Sequence, residues 1–225
     1  MTDARAQILG RLKTALDRDN RAPDAARARL EAPPENLVPS RGQGADKISR
    51  FTAEATRVEA TVAHINGLAD LPAAVAGYLS GYNLPKQLRV TPSLAAAGWD
   101  SQPLLDVSAG RAAGLDAVGV SRAFGGVAET GTLVFVSGPD NPTTVNFLPP
   151  THVAVIAAAD IAGSYEDVWR RVRALSPAPG PGKTQLPRTV NWITGPSRTA
   201  DIEQTLLLGA HGPQRLHIVI VDDAG

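Results

Sequence analysis

The chain has 225 residues, with 22 Lys and Arg against 22 Asp and Glu, and contains no cysteine. Without cysteine these residues offer no thiolate nucleophile, disulfide or cysteine-ligated zinc or iron–sulfur site, and the balanced charge gives no long-range field to collect nucleic acid or anionic lipid. The length fits one large domain or two small ones, and with four Phe, three Trp and three Tyr the core must be largely aliphatic.

Asp3 to Arg18 spaces Ile8, Leu9, Leu12, Ala15 and Leu16 as one face of a helix. Pro33, Pro34, Pro39 and Gly42-Gln43-Gly44 then break the pattern. A second helix is predicted from Asp46 to Asn66, through Ile48, Phe51, Ala55, Val58, Val62 and Ile65, and a short Ala-rich third from Leu71 to Leu79. After Pro85 the pattern becomes one of strands, at 88–91, 104–107, 117–121, 132–137, 152–157, 190–194 and 216–222, with helices at 164–175 and 199–208. Continuous apolar runs such as HVAVIAA and LHIVIV, alternating with helices, predict an α/β fold with a parallel-rich sheet covered by helices. Nearly half of the charged side chains lie in the first 60 residues. The predicted organisation is a helical N-terminal arm over residues 1–70 and an α/β domain over 71–225.

Three segments put polar groups where strands end. In the first, Gly125, Gly126, Gly131 and their neighbours allow backbone N–H groups to converge on a ligand. Glu129 supplies a carboxylate there, and Thr130 and Thr132 supply hydroxyls. The same residues also make a tight turn, and both readings stand. The second runs from Gly195 through Ser197, Arg198, Thr199 and Asp201. It predicts a helix N-terminus able to hold phosphate or carboxylate, or simply well capped, at the carboxyl ends of strands. The third, His211-Gly212-Pro213, is expected at the opposite edge of the sheet, which favours a structural or interface role for His211 over a catalytic one. His217 is expected to be a satisfied core residue, and Trp169, Arg170 and Arg171 a solvated helix face. His64 and His152 lack metal-ligand spacing, so no metal site is expected.

The fingerprints G-x-G-x-x-G, G-x-x-x-x-G-K-[ST] and G-x-S-x-G do not occur. No apolar run approaches the ~20 residues of a membrane span. MTDARAQILG lacks a signal-peptide core, so a cytoplasmic protein is expected.

The segments AETGTLV (128–134), LPPTHVAVI (148–156), TGPSRTADIE (194–203) and GAHGPQRLHIVIVD (209–222) resemble the LUD domain, and the whole chain resembles the lactate utilization protein C (LutC/YkgG) group. One departure is Gly125-Gly126-Val127, where members of the group commonly carry Ala or Gly, then Ile, before the A-E-T-G-T. The resemblance implies a NagB/RpiA/CoA-transferase-like fold with helices on both faces of the sheet. It also implies the cofactor-free member of a three-protein system that oxidises L-lactate to pyruvate, whose iron–sulfur partners carry the electrons. The chain itself would bind a small anionic ligand, those partners, or both. Two alternatives remain open: a sugar-phosphate isomerase- or CoA-transferase-like enzyme with Glu129 as catalytic base or nucleophile, and a purely structural α/β module.

Overall fold

The computed structural model describes residues 4–16, 27–29, 31–32, 40–44, 46–175, 186–200, 206–208 and 211–223. The chain divides into two compact units, one of residues 1–37 with 178–183 and one of 38–177 with 184–225. In the first unit, helix α1 (Ala4–Leu16) follows the predicted amphipathic segment, with Ile8, Leu9 and Leu12 solvent-exposed.

The second unit starts with α2 (Lys47–Arg57), β1 (Thr61–Gly67), α3 (Leu71–Gly81), β2 (Gln87–Val90), β3 (Asp106–Ala109) and β4 (Val118–Arg122). Then come β5 (Gly125–Val127), β6 (Thr132–Val136), α4 (Thr144–Phe147), β7 (Thr151–Ala157), β8 (Ile161–Ala162) and α5 (Tyr165–Ala174). The last strands are β9 (Val190–Ile193), β10 (Arg198–Ala200), β11 (Leu206–Leu208) and β12 (Arg215–Asp223).

Six strands form an all-parallel sheet in the order β1-β12-β7-β4-β2-β3. Its central strands are apolar on both faces, and alternation sorts the two sides. Val153, Val155, Val219 and Val221 pack with Leu71, Val75 and Leu79 of α3. Ala154, Ile156, Ile218 and Ile220 pack with Phe51 and Ala55 of α2 and with Leu133 and Phe135 of β6. That second face is therefore covered partly by another sheet, of order β8-β5-β6-β9, in which β6 runs antiparallel to β5 and β9. The outer side of this smaller sheet places Val127 and Val134 against Val168 and Val172 of α5. Among the described residues no helix is long and apolar enough to cross a membrane.

Two predicted helices are corrected. The 46–66 segment breaks at Glu59, which has a positive φ of 69°. Beyond it Thr61, Val62 and Ile65 enter the sheet as β1, paired to β12. The apolar spacing fitted a helix, but the β-branched residues favour the pleated surface. The 199–208 segment is not a continuous helix: Arg198–Ala200 and Leu206–Leu208 pair as antiparallel strands. The strand predicted at 104–107 lies two residues later, at Asp106–Ala109, where it pairs with β2. The solvated face assigned to α5 is also corrected. Trp169 meets Trp192 edge to face at 5.8 Å, while Arg171 pairs with Asp160 and lies over the Phe124 ring.

Candidate functional site

The ETGT turn and the strand leading to Gly195 meet. β6 and β9 are register partners through Leu133 and Ile193, and Thr132 Oγ1 lies 2.7 Å from Thr194 Oγ1. Thr132 Oγ1 is also 2.7 Å from Thr130 Oγ1 and 2.9 Å from the Tyr165 hydroxyl. A hydroxyl has one proton and two lone pairs, so the buried Thr132 is fully engaged and ties the turn to β9 and α5.

Both turns rest on α2. Gly131 has φ +66°, and a Cβ there would lie 2.3 Å from Ala55 N. Gly195 has φ +77°, and a Cβ there would lie 2.4 Å from Val58 O. Only glycine combines that backbone with that approach.

Gly125 and Gly126 do not form an open loop. They lie in buried β5, where a Cβ on Gly126 would meet Ile156 and Phe51. The missing side chain of Gly126 lets the two sheets pack closely, while that of Gly125 leaves room for Val168 of α5. Glu129 is half-buried beside Gly163, whose carbonyl accepts its backbone N–H at 3.2 Å.

The helix N-terminus expected at Ser197–Thr199 is absent, because the chain is extended there. Arg198 Nη2 pairs with Glu59 Oε2 at 2.7 Å. Thr199 lies in β10, and Asp201 falls outside the described residues.

His211-Gly212-Pro213 is not at the opposite edge of the molecule from the Gly195 turn. Ser197 N–H donates to Pro213 O at 2.8 Å, and the position of a Gly212 Cβ lies 3.3 Å from Ser197 Cβ. The expectation treated the strand before Gly195 as a member of the parallel sheet. As β9 of the smaller sheet, it delivers its end to the amino ends of β7 and β12. There the two turns wall a pocket of about 230 Å³, with Phe147, His152, Trp192, Thr194 and Leu216 among the other lining residues. Glu129 is not on its wall.

His152 carries a signal that spacing alone could not give. It opens β7 opposite Leu216 of β12 and is fully buried. Ser121 Oγ lies 2.7 Å from its Nε2 and 2.8 Å from Asn146 Oδ1. Its Nδ1 has no hydrogen-bond partner among the described residues. Burial pushes its pKa down to about 3, so the ring is neutral at ordinary pH. His217, expected to be satisfied, is only half so among the described residues: Nδ1 meets Thr61 Oγ1 at 2.8 Å and Nε2 has no partner. It stacks on Tyr78 with centroids 3.9 Å apart.

The family pattern described as the LUD domain matches residues 108–221, just over half of the chain. The chain belongs to the LUD domain family. Among curated LUD relatives, lactate utilization protein C of Halalkalibacterium halodurans is 36% identical over 106 residues, 47% of this chain and 44% of that protein. The protein of the same name from Shouchella clausii is 33% identical over the same shares. The chain thus spans less than half the length of these relatives in the matched region. In structure it is similar to a DUF162 family protein from Deinococcus radiodurans, with TM-score 0.55 and 19% identity over 78% of this chain and 96% of that one, a likeness of fold. Three of the four resembling segments line the pocket, through His152, Thr194–Ser197 and His211–Pro213, and the fourth reaches it only through the contact of Thr132 with Thr194.

Proposed function

We propose that this LUD protein is an accessory component of lactate utilization that holds a small carboxylate in the pocket between Ser197 and His211 and works with iron–sulfur partner proteins. The observation that carries this reading is the convergence of the Gly195-Pro196-Ser197 and His211-Gly212-Pro213 turns on one pocket. They are distant in sequence, joined by a backbone hydrogen bond, and both inside the family-matched stretch. The relatives' name, lactate utilization protein C, supplies the process.

The size of the pocket supports a small ligand. At about 230 Å³ it is below the roughly 300–1,000 Å³ of pockets that bury drug-sized molecules, which suits a three- or four-carbon acid better than the body of a CoA ester. Ser197 Oγ and the His211 ring are the side-chain donors for the anion. The 225 residues contain no cysteine, so cluster thiolates would come from the partners.

The test is titration calorimetry with L-lactate, pyruvate, inorganic phosphate and acetyl-CoA, together with co-purification from lactate-grown cells. Saturable binding of a small carboxylate, weakened by Ser197→Ala, and recovery of iron–sulfur proteins are expected. Binding of acetyl-CoA or phosphate in preference to every small carboxylate would overturn the pocket assignment, and recovery of no iron–sulfur protein would overturn the partnership.

A further inference from the structure

The chain holds three Trp and three Tyr, and two of those Trp stand with one Tyr in a single surface cleft. Trp192 lies in β9 opposite Val134 of β6, on the outer side of the smaller sheet. Tyr165 and Trp169 are four residues apart on α5 and so share one helix face. Their rings flank Trp192, with centroids 5.2 and 5.8 Å from it. Packing against Val127, Val134, Val168 and Val172 leaves all three aromatics partly exposed. Together with Glu166 they line an open cleft of about 280 Å³.

Two features separate this cleft from an ordinary apolar patch. Its rings are held in place: the Tyr165 hydroxyl accepts from Thr130 Oγ1 at 3.0 Å and lies 2.9 Å from Thr132 Oγ1. The capping box between Ser164 and Asp167 fixes the first turn of α5 beneath them. The fourth wall is a carboxylate. Asp167, the other acid of that turn, is engaged by Ser164 and Arg170. Glu166 has no hydrogen-bond or ion-pair partner among the described residues. Aromatic faces attract organic cations through their negative potential. A hard metal ion asks instead for several oxygen ligands, and an anion is repelled by Glu166.

We propose that Tyr165, Glu166, Trp169 and Trp192 form a recognition site for the methylated ammonium group of a small organic cation. The rings supply cation–π attraction, and the carboxylate balances the charge and rejects anions. The cleft lies just below the size range of pockets for drug-sized molecules, which suits a compact head group. It shares only Trp192 with the Ser197–His211 pocket and does not rest on the carboxylate reading of that pocket.

The experiment is calorimetry on the full chain with choline, with its neutral tert-butyl isostere, in which carbon replaces the ammonium nitrogen, and with a peptide carrying trimethyllysine. In parallel, NMR follows the indole N–H signals. Choline should bind about tenfold tighter than the isostere. It should shift the signals of Trp169 and Trp192 but not that of Trp99, which is buried with Leu71 and Val75. Glu166→Gln should weaken choline about threefold and Trp169→Leu about tenfold. Neither residue lines the Ser197–His211 pocket, so small-carboxylate binding there stands or falls separately. No saturable choline binding, equal binding of choline and its isostere, or an unchanged choline affinity in Glu166→Gln overturns cation recognition. A peptide bound about tenfold tighter than choline overturns the small-molecule source and gives the site to a methylated lysine of a partner protein. The wild-type comparison of choline with its isostere decides the matter even if Trp169→Leu does not fold.

Discussion

Gly131→Ala tests whether the ETGT turn is fixed by its contact with α2. The new methyl would stand 2.3 Å from Ala55 N and 2.7 Å from both Ala55 Cα and Glu54 C. These are backbone atoms inside a helix that cannot rotate away, and the contacts are about 1 Å too short for non-bonded atoms. The left-handed φ of +66° adds roughly 1 kcal/mol for a residue with a Cβ, and forced repacking adds about 1–3 kcal/mol. A total of ~2–4 kcal/mol would remove a large part of the ~5–15 kcal/mol that holds a typical domain together. Urea unfolding followed by tryptophan fluorescence should show the midpoint falling by about 0.7–2 M, at a slope of ~2–3 kcal/mol/M. Gly138→Ala is the control, because nothing lies within 4 Å of its Cβ position and its φ is not positive; its stability should stay within about 0.5 kcal/mol of wild type. If Gly131→Ala also stays that close, with an unchanged slope, the turn is not fixed by α2.

Thr132→Val keeps the shape and removes the hydroxyl shared by Thr130, Thr194 and Tyr165. It should cost about 1–3 kcal/mol, read as a thermal midpoint several degrees lower, and an unchanged midpoint would refute the hub. Arg198→Ala should cost at most about 1 kcal/mol, since its ion pair with Glu59 is exposed. It should also leave small-carboxylate affinity within about twofold; a tenfold loss would put Arg198 back in the binding site. Burial lowers His152 to about 3 and His217 to about 4, against about 6.5 in an unfolded chain. Below pH ~6.5 the unfolded state therefore binds protons that the fold refuses. Stability should fall with pH by up to ~1.4 kcal/mol per unit for each histidine. Glu54, held low by the Arg57 and Arg41 guanidiniums, loses its contribution only below its ordinary value of 4.5. Urea midpoints between pH 7 and 5 thus isolate the histidines, and a flat profile there would contradict their buried neutral state.

The parallel sheet was legible because its inner strands are apolar on both faces; β7 and β12 fell within one residue of their predicted starts. β1 was not, since Val58, Val62 and Ile65 match helical spacing and only the turn at Glu59 breaks it. Glycines were visible as backbone signals, but their partners were not. Gly126 admits a neighbouring sheet and Gly195 admits the end of α2. The meeting of Ser197 with Pro213 could not be read from sequence order, because it depends on β9 leaving the parallel sheet for the smaller one. His152 looked like an ordinary strand opener. What distinguishes it is its buried contact with Ser121, itself bonded to Asn146, which exists only once three elements are packed together.

The position of β12 has a consequence for how the fold is assembled. Among the described residues the last strand in sequence is the second in the sheet, between β7 and β1, and β1 pairs with no other strand. Thr61 must therefore wait for His217, and both hydrophobic layers lack Ile218, Val219, Ile220 and Val221 until β12 is available. Contacts of such sequence separation close slowly. The strands before β12 cannot complete the sheet while they emerge during synthesis, so their apolar surface stays open to chaperones or to aggregation until β12 follows.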